Sequence, residues 1–124
     1  MKIILISNDK DVIKTINNID SIINEQLIIF NSASDSCEIL SEIISNNPSL
    51  IIFDNDFIEN ETVKILKSLR KIDSRVSIIL VTSELSIELG RDLSQIGIHF
   101  KALKPISLIS MEESIKALQK SIYN

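Results

Sequence analysis

Five short apolar runs, each followed by a stretch of helical periodicity, constrain this chain more than any other feature. The runs are Lys2 to Ser7, Gln26 to Phe30, Ser49 to Phe53, Arg75 to Val81 and Ile98 to Leu103. Ile fills 27 of the 124 positions, and near-continuous β-branched runs suit strands buried on both faces. Between them, Lys10 to Ile23 carries Val12, Ile13, Ile16, Ile19, Ile22 and Ile23 at helical spacing, with Asp9 placed as its cap. Ser34 to Ser45 turns Ile39, Leu40, Ile43 and Ile44 inward and stops at Asn46-Asn47-Pro48. Glu59 to Lys71 presents Val63, Ile65, Leu66 and Leu69. Ser86 to Ile96 contains Gly90 and ends at Gly97, a suitable C′ residue. Leu108 to Ile122 closes the chain. Strict alternation with short loops predicts an α/β protein. Its expected core is a five-stranded doubly wound parallel sheet with helices on both faces, a three-layer sandwich, in one domain over 1–124.

Composition narrows the function. The net charge of −4 comes with no basic stripe, and Trp is absent, which argues against direct nucleic-acid binding and against base-stacking platforms. No apolar run reaches the ~18 residues of a membrane span, and the first run stops at once in Ser-Asn-Asp-Lys-Asp, unlike a signal peptide. The expectation is a soluble, cytoplasmic protein with no membrane partner. Cys37 has no partner for a disulfide and falls in a helical pattern, where a small apolar filler is expected. His99, the only histidine, is expected at a surface or packing position.

Three polar residues stand out by position. Asp54 ends the third run, Thr82 the fourth and Lys104, followed by Pro105, the fifth. Each taken alone has a bland reading: a turn, a strand threonine, a strand end before a helix. If neighbouring strands carry them, an acid, a hydroxyl and an ammonium converge on the carboxyl edge of the sheet, where open α/β sheets bind and react. A lysine there can pair with Asp54 or with anionic oxygen added to it.

With these residues in order, the chain resembles the receiver domain of two-component response regulators, of flavodoxin-like fold, over essentially its whole length. The resemblance rests on Asp54, on Thr82-Ser83, and on Gly97 through Lys104-Pro105. It implies that Asp54 accepts a phosphoryl group from a histidine kinase or phosphotransfer protein. It also implies that Thr82 and Lys104 bond phosphoryl oxygens and that the Lys104–Pro105 peptide is cis. The backbone carbonyl of Asp56 would serve Mg²⁺, and Asp56 and Glu84 would tune the lifetime of the phosphoryl group. Such a module is not an enzyme. It changes a surface, formed by the fourth helix, fifth strand and fifth helix, for a downstream effector or a second copy.

Departures matter as much. Where receivers carry an acid pair after the first strand, this chain has Ser7-Asn8; sliding the register to Asn8-Asp9 would turn the strand's inward residues outward. Asp54 and Lys104 then cancel, and the inner pocket is expected to be near neutral, with Asp9, Asp56 and Glu84 on its rim. Mg²⁺ wants charged oxygen ligands, so binding through Asn8, Asp54 and Asp56, with Asp9 as a further candidate, is expected to be weak or absent. Lys101 occupies the place of the family's aromatic switch, and Ile58 that of a proline. Two functional readings fit: a phosphoryl-accepting receiver, or a docking module independent of phosphorylation. A small flavin- or cobalamin-binding α/β protein is a remote third, opposed by a glycine-free Ser7-Asn8-Asp9-Lys10 loop. Nor do Asp54, Asp56, Glu59 and Glu61 have the spacing of a calcium loop.

Overall fold

The computed structural model describes residues 1–32, 35–58 and 60–123. Five strands form one parallel sheet: β1 (Lys2–Ile6), β2 (Gln26–Phe30), β3 (Leu50–Asp54), β4 (Ser77–Thr82) and β5 (Phe100–Leu103). Their spatial order is β2-β1-β3-β4-β5. The helices are α1 (Lys10–Asn17), α2 (Ser36–Asn46), α3 (Thr62–Ile72), α4 (Ile87–Ile96) and α5 (Leu108–Tyr123), with a 3-10 turn at Asp20–Ile22. The expected doubly wound sandwich is the observed one.

Side chains alternate across the strands and, in the central strands β1, β3 and β4, are buried on both faces. Ile3, Leu5, Leu50, Ile52, Ile79 and Val81 meet α1 and α5 through Val12, Ile16, Met111 and Ile115. Ile4, Ile6, Ile51, Phe53, Ile78 and Leu80 meet α2, α3 and α4 through Ile39, Ile43, Leu66 and Leu93. Period-two alternation with both faces covered is why these runs read as continuous apolar segments.

Four expectations need correction. The first helix ends at Asn17 rather than Ile23, because Asn18 takes over as its C-cap, and the 3-10 turn then carries Ile22 inward. Ile23 consequently lies 74% exposed, and Ile44 of α2 is exposed as well. Cys37 is exposed and is not a core filler. The helices expected to begin at Ser34 and Glu59 begin later among the described residues, and those two positions lie outside them. Asp9, Asp35 and Ser86 cap α1, α2 and α4 through side-chain oxygens that accept from backbone N–H groups. Asn47 and Gly97 end α2 and α4 in the left-handed region, at φ 47° and 84°. No helix among the described residues is long and apolar enough to cross a membrane.

Candidate functional site

The backbone ladder runs one residue beyond three of the strands. Ser7 N–H donates to Phe30 O (3.2 Å), Asn55 N–H to Val81 O (2.7 Å) and Lys104 N–H to Thr82 O (2.9 Å). The residues at the carboxyl edge are therefore held by the sheet itself. Asp54 ends β3 with only 1% of its surface exposed, and Ser7 and Thr82 are fully buried beside it.

Lys104 is the hub. Its ammonium lies 2.9 Å from Asp54 Oδ2, 2.9 Å from Asp9 Oδ2 and 3.1 Å from Asp56 Oδ2. The contact to Asp54 is a hydrogen bond, and those to Asp9 and Asp56 are ion pairs. Ser7 Oγ donates to the same Asp54 oxygen at 2.6 Å, and Asp56 N–H donates to Asp54 Oδ1 at 3.0 Å. Asp9 Oδ1 meanwhile accepts from the N–H groups of Asp11 and Val12, so one side chain both caps α1 and reaches the hub. Asp56 continues the network to the loop after β4, accepting from Ser83 N–H and Ser83 Oγ, each at 3.0 Å. The Lys104–Pro105 peptide is cis.

Other expected members sit differently. The Thr82 hydroxyl finds its partners elsewhere: it donates to Glu84 O (2.9 Å) and accepts from Asn55 Nδ2 (3.2 Å). Asn8, Ser83, Glu84, Lys101 and His99 are exposed. Glu84 meets the site through its backbone: its N–H approaches Thr82 Oγ1 at 3.3 Å. The expected neutral pocket is a correction. Asp9 and Asp56 reach inward to Lys104, so the cluster holds three carboxylates against one ammonium, a formal −2. Asn55, whose Nδ2 donates to Thr82 Oγ1, carries no separate signal in the sequence. Arg70, in the last turn of α3, gave no signal of its role, described below.

The hub shows in its proton affinities. Burial alone would push the Lys104 ammonium down, but its bonds to Asp54, Asp9 and Asp56 outweigh it and raise the group above its ordinary value. The bond from Lys104 holds the Asp9 carboxyl below its ordinary value, against a smaller opposing effect of burial and with help from the Val12 and Asp11 N–H groups. The signs follow. The Lys104 contribution is complete below the unfolded lysine value of about 10.4 and fades as pH rises through the higher folded value. The Asp9 contribution is complete above the unfolded aspartate value of about 3.9 and is lost as pH falls through the lower folded one. Asp9→Asn keeps a good cap and removes the charge. Its urea midpoint should therefore fall less steeply than the parent's on acidification below about pH 4; parallel acid limbs would exclude Asp9 from the hub.

Clefts open on either side of the cluster. One of about 450 Å³ lies between the β3–α3 and β4–α4 loops, lined by Asp56, Asn60, Thr82, Ser83 and Glu88 among others. Another of about 540 Å³ lies between α1 and the β5–α5 loop, beside Asp9, Thr15, Lys104 and Pro105. The carboxylates are chemically suited to a hard cation, but the fit is poor. The space they share is filled by the ammonium, their oxygens are bonded within the protein, and the described residues show no His, Cys, Asp or Glu group arranged to hold a metal.

Known proteins share this arrangement of elements. A response regulator receiver protein from Pseudoalteromonas atlantica superposes with a TM-score of 0.81 at 14% identity, covering 98% of this chain and 99% of its own. A CheY-like receiver domain protein from Methanospirillum hungatei JF-1 gives 0.79 at 22% identity, covering 96% and 94%. The chain has the receiver-domain fold. Among curated sequences, the circadian input-output histidine kinase CikA of Synechocystis sp. is 29% identical over 119 residues. That match takes in 95% of this chain, which spans about 15% of the kinase's length. No protein-family model matches. On the receiver fold, the carboxyl edge of β1, β3, β4 and β5 is the edge that carries Ser7, Asp54, Thr82 and Lys104.

Proposed function

We propose that the chain is a receiver module of two-component signalling and that Asp54 accepts a phosphoryl group from a histidine kinase or phosphotransfer protein. The observation that carries this is the buried Asp54 carboxylate at the end of β3, 2.9 Å from the Lys104 ammonium. A carboxylate oxygen attacks the phosphorus of a phosphohistidine; the P–N bond breaks, the imidazole leaves, and an acyl phosphate forms. Charge spreads over the phosphoryl oxygens, and a preorganised ammonium stabilises it. The Thr82 hydroxyl can donate to such an oxygen only by releasing Glu84 O, which ties occupancy of the site to the loop before α4. The module acts by altering a surface, not by turning over substrate. The α4–β5–α5 face suits an effector protein or a second copy, because Ile87, Leu103 and Ile109 are exposed on these elements by 83%, 53% and 71%.

A second reading is favoured by one contact. Ser7 Oγ donates to Asp54 at 2.6 Å, so the acceptor is already satisfied at rest, as a docking module independent of phosphorylation requires. Acetyl phosphate or beryllofluoride with intact mass or fluorine NMR separates the two. The expected result is an adduct on the parent and none on Asp54→Asn. A parent that never labels, with partner affinity unchanged by Asp54→Asn, would leave docking as the function.

A further inference from the structure

We infer that the Lys104 ammonium is the resident cation of the Asp54 pocket, and that the pocket holds its resting geometry without a divalent metal. The inference deepens the proposed role of this pocket and rests on it for its significance. The ammonium donates to Asp54 and lies within ion-pair distance of carboxylates from the end of β3 and from the loops after β1 and β3, at 2.9, 2.9 and 3.1 Å. Each carboxylate is bonded elsewhere too: Asp54 to Ser7 Oγ and Asp56 N–H, Asp9 to the first turn of α1, Asp56 to Ser83. Magnesium requires near-octahedral oxygens at about 2.0–2.1 Å and gives up water reluctantly. To bind among these three carboxylates it would have to expel a cation tethered to the same chain and draw together side chains already held by the α1 cap and the Ser83 bridge. Ser7 supplies a hydroxyl, which donates to Asp54, where a further carboxylate would have favoured the metal.

One consequence concerns signalling. Anionic oxygen added to Asp54 competes with Asp9 and Asp56 for the same ammonium. Phosphorylation would then be felt as release of Asp9, on the loop entering α1, and of Asp56, which holds the loop entering α4 through Ser83. The charge stabilisation for which a metal would otherwise serve falls to Lys104.

The test is a Mn²⁺ and Mg²⁺ titration of the folded parent, of Lys104→Met and of Lys104→Arg, followed by calorimetry and by unfolding midpoint. The parent and Lys104→Arg should show no saturable binding at millimolar metal. Lys104→Met, which leaves three uncompensated carboxylates, should bind at least about tenfold tighter. Should Lys104→Met not fold, the parent and Lys104→Arg decide alone: a midpoint that rises with Mg²⁺ in either overturns the inference. Overlaid titrations for parent and Lys104→Met also overturn it. Labelling by acetyl phosphate with a chelator present supports both the inference and the acceptor role. Labelling only with Mg²⁺ overturns the inference and keeps the acceptor role. No labelling under either condition overturns the acceptor role and leaves the titration to judge the cation.

Discussion

Exchanging Ser7 and Asn8 together for Asp should turn a pocket that is complete in itself into one that depends on metal. Ser7 is fully buried with its hydroxyl 2.6 Å from Asp54 Oδ2. A carboxylate there loses the donated hydrogen bond and faces a like charge. Two such charges ~4 Å apart repel by about 4 kcal/mol at an effective dielectric of ~20. Lys104 offers little relief, since its single charge already faces the carboxylates of Asp9, Asp54 and Asp56. The variant should lose about 3–5 kcal/mol of stability without metal, the range for an uncompensated buried charge. Against a typical total of about 5–15 kcal/mol, that is a large share. Asn8 is exposed, so its exchange adds charge at the mouth with little packing cost. Millimolar Mg²⁺ should restore much of the loss, and labelling of Asp54 should become faster in its presence. Urea unfolding with and without MgCl₂ measures both effects. Equal stability of parent and variant in both conditions would remove Ser7 from the environment of Asp54.

The central strands were the most legible, because β1, β3 and β4 are buried on both faces. Lys2–Ile6 and Leu50–Asp54 are apolar almost end to end, and no helix of so few residues is stable alone. Helix ends were harder. The spacing of Ile16, Ile19, Ile22 and Ile23 continues a helical period, yet Asn18 closes α1 by donating its N–H to carbonyls of the last turn. The 3-10 turn then buries Ile19 and Ile22 against α5 without continuing the α-helix. Position along the chain located Asp54, Thr82 and Lys104, because topology fixes which strand tips are neighbours. It did not fix where their side chains point: Thr82 faces the backbone of Glu84, an orientation only the β4–α4 loop decides. Asp9 was legible as a cap and as a rim acid, but its second oxygen meeting Lys104 depends on how α1 leans over the sheet edge. Charge arithmetic from the sequence therefore gave a neutral pocket where the folded chain assembles an acidic one around a single ammonium.

Arg70→Ala should cost about 2–3 kcal/mol, the range for a charge-assisted hydrogen-bond set whose acceptors are left unpaired. The arginine lies in the last turn of α3, where a cation ordinarily suits its own helix's dipole. Here it serves a neighbour. Nε donates to Ile96 O at 2.9 Å and Nη2 to Gly97 O at 2.9 Å, satisfying carbonyls at the end of α4 that have no partner within that helix. Nη1 donates to Val76 O at 2.6 Å, next to the start of β4. Lys cannot replace this fork, since one ammonium lacks the planar, divergent donors; Arg70→Lys should recover only part of the loss. Under the proposed role the consequence is directional. The carboxyl end of α4 is pinned to α3 by Arg70, while the loop entering its amino end is held by Ser83 and Asp56, and through Asp56 by Lys104. A change at Asp54 can therefore move the amino end of α4 about a fixed carboxyl end. In Arg70→Ala that fixed end is lost, so amide exchange at the last turn of α4 should speed up while the Asp54 cluster keeps its own protection. Uniform acceleration across the whole sheet instead would make Arg70 a general stabiliser and remove the pivot.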